Sequence, residues 1–350
     1  MRVYLALIPT LVIFVIITAL VKVTVDPSTF FGIIMFFVVL SGVAVGFLQN
    51  GIFSLAAKFP FVYTAATMSG QGLAGLAVAL SQIFTTLAGT GAGDSDDAIE
   101  LSAMLYFIVA VLVILLSMIG YIILRRLPVF RYYHKTRRER ERDHEIALQN
   151  KQAVDNSLAT QFAIWKSIAA PSFAVCYNFT VTLAIFPSIV ASIAPVTTGS
   201  PSRIYGDLFV PFAFLLFNLG DLLGRLIAGA TPLPKPSWLP IMSFFRTIFF
   251  FLFLCSNVVL RDTNGNIIQT SLPVLFGNDY VYWVIVMLFS TSNGYIASVS
   301  MITGPSLVET MQKDKAGSIM ITSLVLGLSI GSFFSFALRA ILCQCDPFSS

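Results

Sequence analysis

The chain has 350 residues, of which 57% are hydrophobic and only 11% charged, with a formal net charge of +4. Soluble domains average roughly 25% charged residues, so this composition excludes an ordinary cytosolic enzyme, a nucleic-acid binder and a disordered chain. With a mean hydropathy of +0.86 and long continuous apolar runs instead of the alternation of a membrane β-barrel, it reads as an all-α polytopic membrane protein.

A hydrocarbon core of about 30 Å needs about 20 apolar residues in a helix. Nine segments qualify, at 3–25, 30–57, 62–89, 101–124, 162–194, 206–230, 238–260, 279–303 and 317–343. The first carries Arg2 and could pass for a signal peptide, but it is too long and no A-x-A site follows, so it is read as a span. The second holds Gln49 and Asn50, which suggests a polar-lined end. The fifth is too long for one span. Pro171 and Pro187 are expected to divide it, with Gln161 to Ser167 as an interfacial lead-in.

Charge placement orients the chain. Nine of the 21 Lys and Arg fall between Arg125 and Lys151. With the 125–160 stretch in the cytosol, the N-terminus is also cytosolic and the C-terminus lies outside. The cytosolic side then collects sixteen cations, among them Lys58, Lys235, Arg246, Lys313 and Lys315, and the outer side four: Lys22, Arg203, Arg261 and Arg339. The 91–100 loop, with Asp94, Asp96, Asp97 and Glu100, falls outside. The chain therefore divides into a four-helix bundle over 1–124, a basic linker over 125–160 and a five-helix bundle over 161–350. The linker's alternating charges from Arg138 to Asp143 suit a solvated helix or a plain spacer.

Small residues spaced G-x-x-x-G let helix backbones approach. The pattern occurs at Gly42 and Gly46, at Gly220 and Gly224, and at Gly327 and Gly331.

Charges inside a span cost about 2.5–3.5 kcal/mol each on insertion scales, so their positions are informative. Asp221 and Arg225 stand one turn apart in the sixth segment and can pair on one helix face, with Asn218 on the same stripe. This surface is either the polar wall of a substrate pathway or a structural ion pair whose arginine reaches toward the cytosolic end. A carboxylate that accepts and a guanidinium that donates suit a hydroxyl-rich ligand. Gln71, in Met68-Ser69-Gly70-Gln71-Gly72-Leu73-Ala74-Gly75, is either a second ligand contact or a helix–helix hydrogen bond. Ser292-Asn293-Gly294-Tyr295 reads as packing or local bending. Asn178-Phe179-Thr180 matches the glycosylation pattern but lies in a span and is set aside.

No catalytic set is present. His134 and His144 lie in the linker, and no H-E-x-x-H, P-loop or G-x-S-x-G occurs at a credible place. The chain does not read as an enzyme. Cys176 and Cys255 read as small hydrophobes, Cys343 and Cys345 as a pair or lipid sites, and the four make no metal site. No cofactor or metal is expected. The lipid bilayer is an expected partner, nucleic acid is not, and oligomeric state leaves no signal in the sequence.

Taken together and in order, several motifs resemble the equilibrative nucleoside transporters, as a fungal-like member. They are the Met68–Gly75 run, Phe130-Arg131-Tyr132-Tyr133, Phe186-Pro187, Phe217-Asn218 with Asp221 and Gly224-Arg225, Trp238-Leu239-Pro240 with Arg246, and Ser292-Asn293-Gly294-Tyr295 with Gly304-Pro305. The resemblance covers nearly the whole chain. It implies a major-facilitator-like helical bundle that carries nucleosides, and in some members nucleobases, down their gradient by alternating access. It also implies that Asp221 and Arg225 contact the ribose hydroxyls and Gln71 the base. Phe214 and Asn218 would belong to one gate, and Phe186 and Pro187 to an opposing one. The family has eleven helices, six and then five. The nine here match its third onward, so the first two and their Pro-Trp-Asn motif are expected to be missing, with Met1 either an internal start or the start of a divergent short form. Two other functions stay open: a carrier of another hydroxylated solute such as a sugar, and a truncated membrane protein that does not transport. The membrane is either the plasma membrane or that of a vacuole or lysosome.

Overall fold

The computed structural model describes residues 2–20, 22, 26–89, 96–133, 158–197, 199, 201–231, 234–261, 267–268 and 273–343. The alternating charges of the linker, both histidines, Asp94 and Cys345 lie outside these residues. Four helices come first: α1 (Arg2–Leu20), α2 (Pro27–Ala56), α3 (Phe61–Gly89) and α4 (Asp96–Arg126). Eight helical stretches are long and apolar enough to cross a membrane, and they match the second to ninth segments of the sequence. The first segment is represented by the shorter apolar stretch Ala6–Leu20 within α1.

Local chemistry sets the helix limits. Asp26 accepts from the Thr29 amide at 3.3 Å and caps α2, and Pro27 fills the first turn, where a missing N–H costs nothing. The long fifth segment breaks into α5 (Leu158–Ser167), α6 (Ala169–Ile185) and the short α7 (Ser188–Ala191). Pro171 lies in the first turn of α6, and Phe186-Pro187, joined by a cis peptide bond, follows its last residue. Next comes α8 (Phe209–Ala230) as one unbroken helix. The seventh segment is interrupted: α9 (Leu239–Phe245) and α10 (Ile248–Leu254) are separated by Arg246 and Thr247. Beyond it, β1 (Leu260–Arg261) pairs antiparallel with β2 (Ile267–Ile268). Two long helices finish the described chain, α11 (Asp279–Ser306) and α12 (Lys313–Cys343).

α11 is the central helix, with 72% of its apolar window buried, against 6% for α2 and none for Phe107–Arg126 of α4. The two outer helices present Phe31, Phe36, Phe47, Leu116 and Ile119 to the surroundings, as helices facing lipid do. α11 packs along α8, α12 along α6 and α2, and α3 along α8. Glycines set the closest of these contacts. A side chain on Gly220 would meet the Met287 carbonyl at 3.1 Å, one on Gly224 the Tyr295 amide at 2.7 Å, and one on Gly294 the Arg225 amide at 3.1 Å. The α8 and α11 backbones therefore touch. Gly327 and Gly331 bring α12 onto the Cys176 and Thr180 turns of α6 in the same way. Gly42 and Gly46 do not follow this use of the motif, since nothing lies within 4 Å of where their side chains would be.

The four N-terminal helices meet the rest of the chain at two ends as well as through α3. At one end Lys58 pairs with Asp314 at 3.4 Å, and Asn50 and Ser318 exchange hydrogen bonds at 3.0 and 3.1 Å. At the other, Arg203 donates Nη2 to the Thr86 carbonyl at 3.1 Å.

Candidate functional site

Between these two ends lies a buried polar network. In α8, Asp221 and Arg225 face the same side and pair, with Arg225 Nε 2.7 Å from Asp221 Oδ2. Both residues are 7% exposed. Arg225 also donates Nη1 to the Met68 carbonyl at 3.1 Å and to Gln71 Oε1 at 3.2 Å on α3. Gly72 makes this reach possible, because a side chain there would meet Arg225 Cδ at 2.9 Å and the Leu222 backbone at 3.1 Å. The α3 glycines thus act as clearance for α8 side chains; Gly75 likewise faces the Asn218 amide.

The other carboxylate oxygen, Oδ1 of Asp221, accepts from Asn293 Nδ2 on α11 at 2.7 Å. Asn293 Oδ1 in turn accepts from Asn178 Nδ2 at 2.8 Å and from the Thr182 hydroxyl at 2.7 Å, both on α6. Asn178 Oδ1 accepts from Arg246 Nη1 at 2.6 Å. Arg246 also donates to the Phe289 carbonyl at 3.1 Å and to Ser292 Oγ at 3.1 Å, and its guanidinium lies 4.7 Å from the centre of the Phe289 ring. One network therefore joins α3, α8, α11, α6 and the break between α9 and α10.

Not all hydrogen-bonding capacity is used. Among the described residues, Gln71 Nε2 and Arg225 Nη2 have no protein acceptor, while each oxygen of Asp221 has spare lone-pair capacity beyond its one partner. The site offers donors and acceptors side by side, one carboxylate among two guanidiniums.

The residues singled out from sequence fall in two groups. Gln71, Asp221 and Arg225 form one joint across α3 and α8. Asn218 lies half-buried beside it, turned to donate Nδ2 to the Phe214 carbonyl at 2.8 Å. Phe186 and Phe214 meet with ring centres 4.8 Å apart, and Phe186 stacks on Phe217 at 3.9 Å and 8°. Pro187, beside them, is exposed. These aromatics join the turn after α6 to α8, within the turn of α8 before Asn218 and on the opposite side of it from Asp221 in the chain.

Two sequence readings are corrected. Arg246 does not stand with the cytosolic cations; it is 2% exposed, inside a stretch that spans Pro236–Leu254. The α9–α10 break frees the turn that lets its side chain point inward. Asn293 is more than a packing residue, since it holds Asp221. Asn178 and Thr182 gave a signal, two polar groups one turn apart in an apolar helix, that a search for charged pairs does not catch.

Comparisons with known proteins address the family of the chain. Residues 35–340 match the family model described as nucleoside transporter. The chain is 34% identical over 360 residues to the human protein named equilibrative nucleoside transporter 1, covering 96% of this chain and 75% of that protein. It is 30% identical to human equilibrative nucleoside transporter 2, over 96% of this chain and 78% of that one. A third relative, equilibrative nucleotide transporter 1 of Arabidopsis thaliana, is 26% identical over 85% of this chain and 62% of its own length. A multi-pass α-helical membrane protein with this match over most of its length belongs to the equilibrative nucleoside transporter family.

Proposed function

We propose that the chain carries nucleosides down their gradient by alternating access. The observation that carries this reading is the joint of Gln71, Asp221 and Arg225 between α3 and α8. Among the described residues, it is the one place where a charged pair inside the bundle keeps unused donors and acceptors next to a contact between the first four helices and the last five. Ribose offers vicinal hydroxyls that both donate and accept. Asp221 accepts from them and Arg225 Nη2 donates to them. Gln71 spends its oxygen on Arg225 and presents its NH2 to an acceptor on the base. Asn218 lines the path between this joint and the aromatic cluster.

Phe186 lies against Phe214 instead of opposing it from a second gate, so in this reading Phe186, Pro187 and Phe214 form one gate, with Phe217 as the surface on which Phe186 closes. The segment 1–124 moves against 161–350, and the 125–160 linker ties them on the cytosolic side with the N-terminus. The C-terminus then lies outside or in a lumen. The membrane is that of the cell surface or of a vacuole or lysosome. No catalytic role is assigned.

Uptake of radiolabelled uridine into cells or proteoliposomes holding the chain tests the proposal. Saturable uptake that is competed by unlabelled adenosine, and not by glucose, supports it. Uptake competed by glucose alone assigns a sugar carrier instead.

A further inference from the structure

Arg246 is an unusual residue to bury. It is 2% exposed, and its hydrogen-bond partners are all neutral: the Asn178 carbonyl and side chain, Thr182, Ser292 and the Phe289 carbonyl. Asp221, the one carboxylate in the network, is engaged by Arg225 and Asn293. A buried guanidinium without a carboxylate against it is costly, and packing alone would be served as well by a methionine or leucine.

What a guanidinium does, and a neutral amide cannot, is donate without ever accepting. Arg246 Nη1 stands 2.6 Å from the Asn178 side chain, so Asn178 must turn its oxygen to Arg246 and its NH2 to Asn293. Asn293 must then turn its oxygen to Asn178, where the Thr182 hydroxyl also donates at 2.7 Å, and its NH2 to Asp221 at 2.7 Å. Asp221 is a carboxylate and only accepts. A donor-only group at one end and an acceptor-only group at the other leave a single orientation for both amides.

We infer that Arg246 is a positioning residue for substrate recognition: through Asn178 and Asn293 it fixes the rotation of the Asp221 carboxylate. The inference rests on the proposal that Asp221 binds the sugar hydroxyls. It adds that the orientation of Asp221 is set from the break between α9 and α10, through α6 and α11, by a residue that never meets the substrate. Reversing the relay places the Asn293 oxygen against Asp221 Oδ1, and the carboxylate rotates off the hydroxyls.

The test compares uptake of uridine with that of 2′,3′-dideoxyuridine, which lacks the hydroxyls. Asn178→Asp still accepts from Arg246, so the fold is kept, but it cannot donate to Asn293 and turns that amide round. The KM for uridine is expected to rise about tenfold or more, as for loss of a hydrogen bond to a charged group. Vmax stays within about twofold and the KM for the dideoxy compound is unchanged. Arg246→Gln is expected to give the same split where it folds, and Arg246→Lys, which also only donates, to retain more of the preference for uridine. Equal losses for both compounds, or no change for either, overturn the inference. Asp221→Asn separates the two levels. If it keeps the preference for uridine, the binding role of Asp221 fails. If it abolishes the preference while Asn178→Asp keeps it, only the relay fails.

Discussion

Asn293 holds Asp221 from the neighbouring helix, Nδ2 to Oδ1 at 2.7 Å, while Arg225 holds the other oxygen from within the same helix. The carboxylate is thus fixed on two sides at a point where α8 and α11 already touch through Gly220, Gly224 and Gly294. Asp221→Asn removes the charge that balances Arg225. Breaking a buried pair by removing one partner costs about 3–5 kcal/mol, so lower folded yield and uptake reduced about 100-fold or more are expected together. The double variant Asp221→Asn/Arg225→Gln removes both charges. It recovers thermal stability in detergent and remains without uptake. Uptake that returns with stability would show the pair to be structural.

The glycine contacts predict unequal costs for one chemical change. Gly224→Ala puts a methyl group 2.7 Å from the Tyr295 amide and against the Thr291 carbonyl, with backbone on both sides and no flexible group to yield. Overpacking of this kind costs about 1–3 kcal/mol, occasionally more, and a clear fall in melting temperature is expected. Gly42→Ala meets nothing within 4 Å. It should leave the melting temperature unchanged or raise it slightly, because alanine favours the helix by about 1 kcal/mol. Thermal melts monitored by size-exclusion chromatography decide between the two, and similar losses at both positions would contradict the backbone contact.

Much of this arrangement was legible in the sequence, and the parts that were not share a cause. Apolar length located the spans, because a bilayer admits few alternatives to a helix. The Asp221–Arg225 spacing placed both groups on one face, since i and i+4 adjacency is a local property of a helix. Arg246 escaped because its position depends on a break between α9 and α10, and a count of cations by segment cannot see how deep a side chain points. Asn178 and Asn293 escaped because each makes sense only through the other, across 115 residues of chain. Gly42 and Gly46 show the converse. A local motif was read as a contact, but contact requires a neighbour that spacing does not supply.

The aromatic cluster makes a separate prediction. Phe186 lies flat on Phe217 at 3.9 Å and leans on Phe214 at 4.8 Å, so removal of its ring opens a gap between α8 and the end of α6. With Phe186→Ala, a cysteine introduced at Asn218 should, in the proposed orientation, react faster with a membrane-impermeant thiol reagent added from outside. Phe186→Leu, which keeps most of the volume, should give an intermediate rate. Equal rates in all three backgrounds would mean that the ring does not shield the path.

At the Thr86 end of the bundle, Arg203 donates Nε to Asp207 Oδ1 at 3.3 Å as well as Nη2 to Thr86. The Arg203 hydrogen bond holds the Asp207 carboxyl below its ordinary value, and Asp207 raises Arg203 in turn. A depressed carboxylate keeps its contribution above its unfolded pKa of about 3.9 and loses it only as pH falls through the lower folded value. A raised guanidinium loses its contribution only at strongly alkaline pH. Both groups stay charged from pH 5 to 8, so the ratio of Asp207→Asn uptake to that of the unaltered chain should be flat across that window. A ratio that climbs toward one as the pH drops to 5 would show that the pair titrates there.

At the opposite end, Lys58 and Asp314 pair at 3.4 Å with about 29% and 28% of their side chains exposed, beside the reciprocal Asn50–Ser318 bonds. A half-exposed ion pair is worth at most about 1 kcal/mol, too little to matter for folding. It is enough to matter for a two-state carrier, since about 1.4 kcal/mol shifts a population ratio tenfold. Lys58→Ala is therefore expected to leave the melting temperature nearly unchanged while altering the ratio of influx to efflux rates. Lys58→Glu sets two carboxylates against each other and should shift that ratio further, and Lys58→Glu/Asp314→Lys should bring it back. A side chain on Gly317 would meet the Ala57 side chain at 3.0 Å and the Phe53 carbonyl at 3.1 Å, so α12 packs closely on the end of α2 in the same contact. If the charge swap fails to restore the ratio while both proteins melt alike, the Lys58–Asp314 pair does not govern this closure, and neighbouring contacts such as Asn50–Ser318 and Ser54 with the Asp314 carbonyl hold it instead.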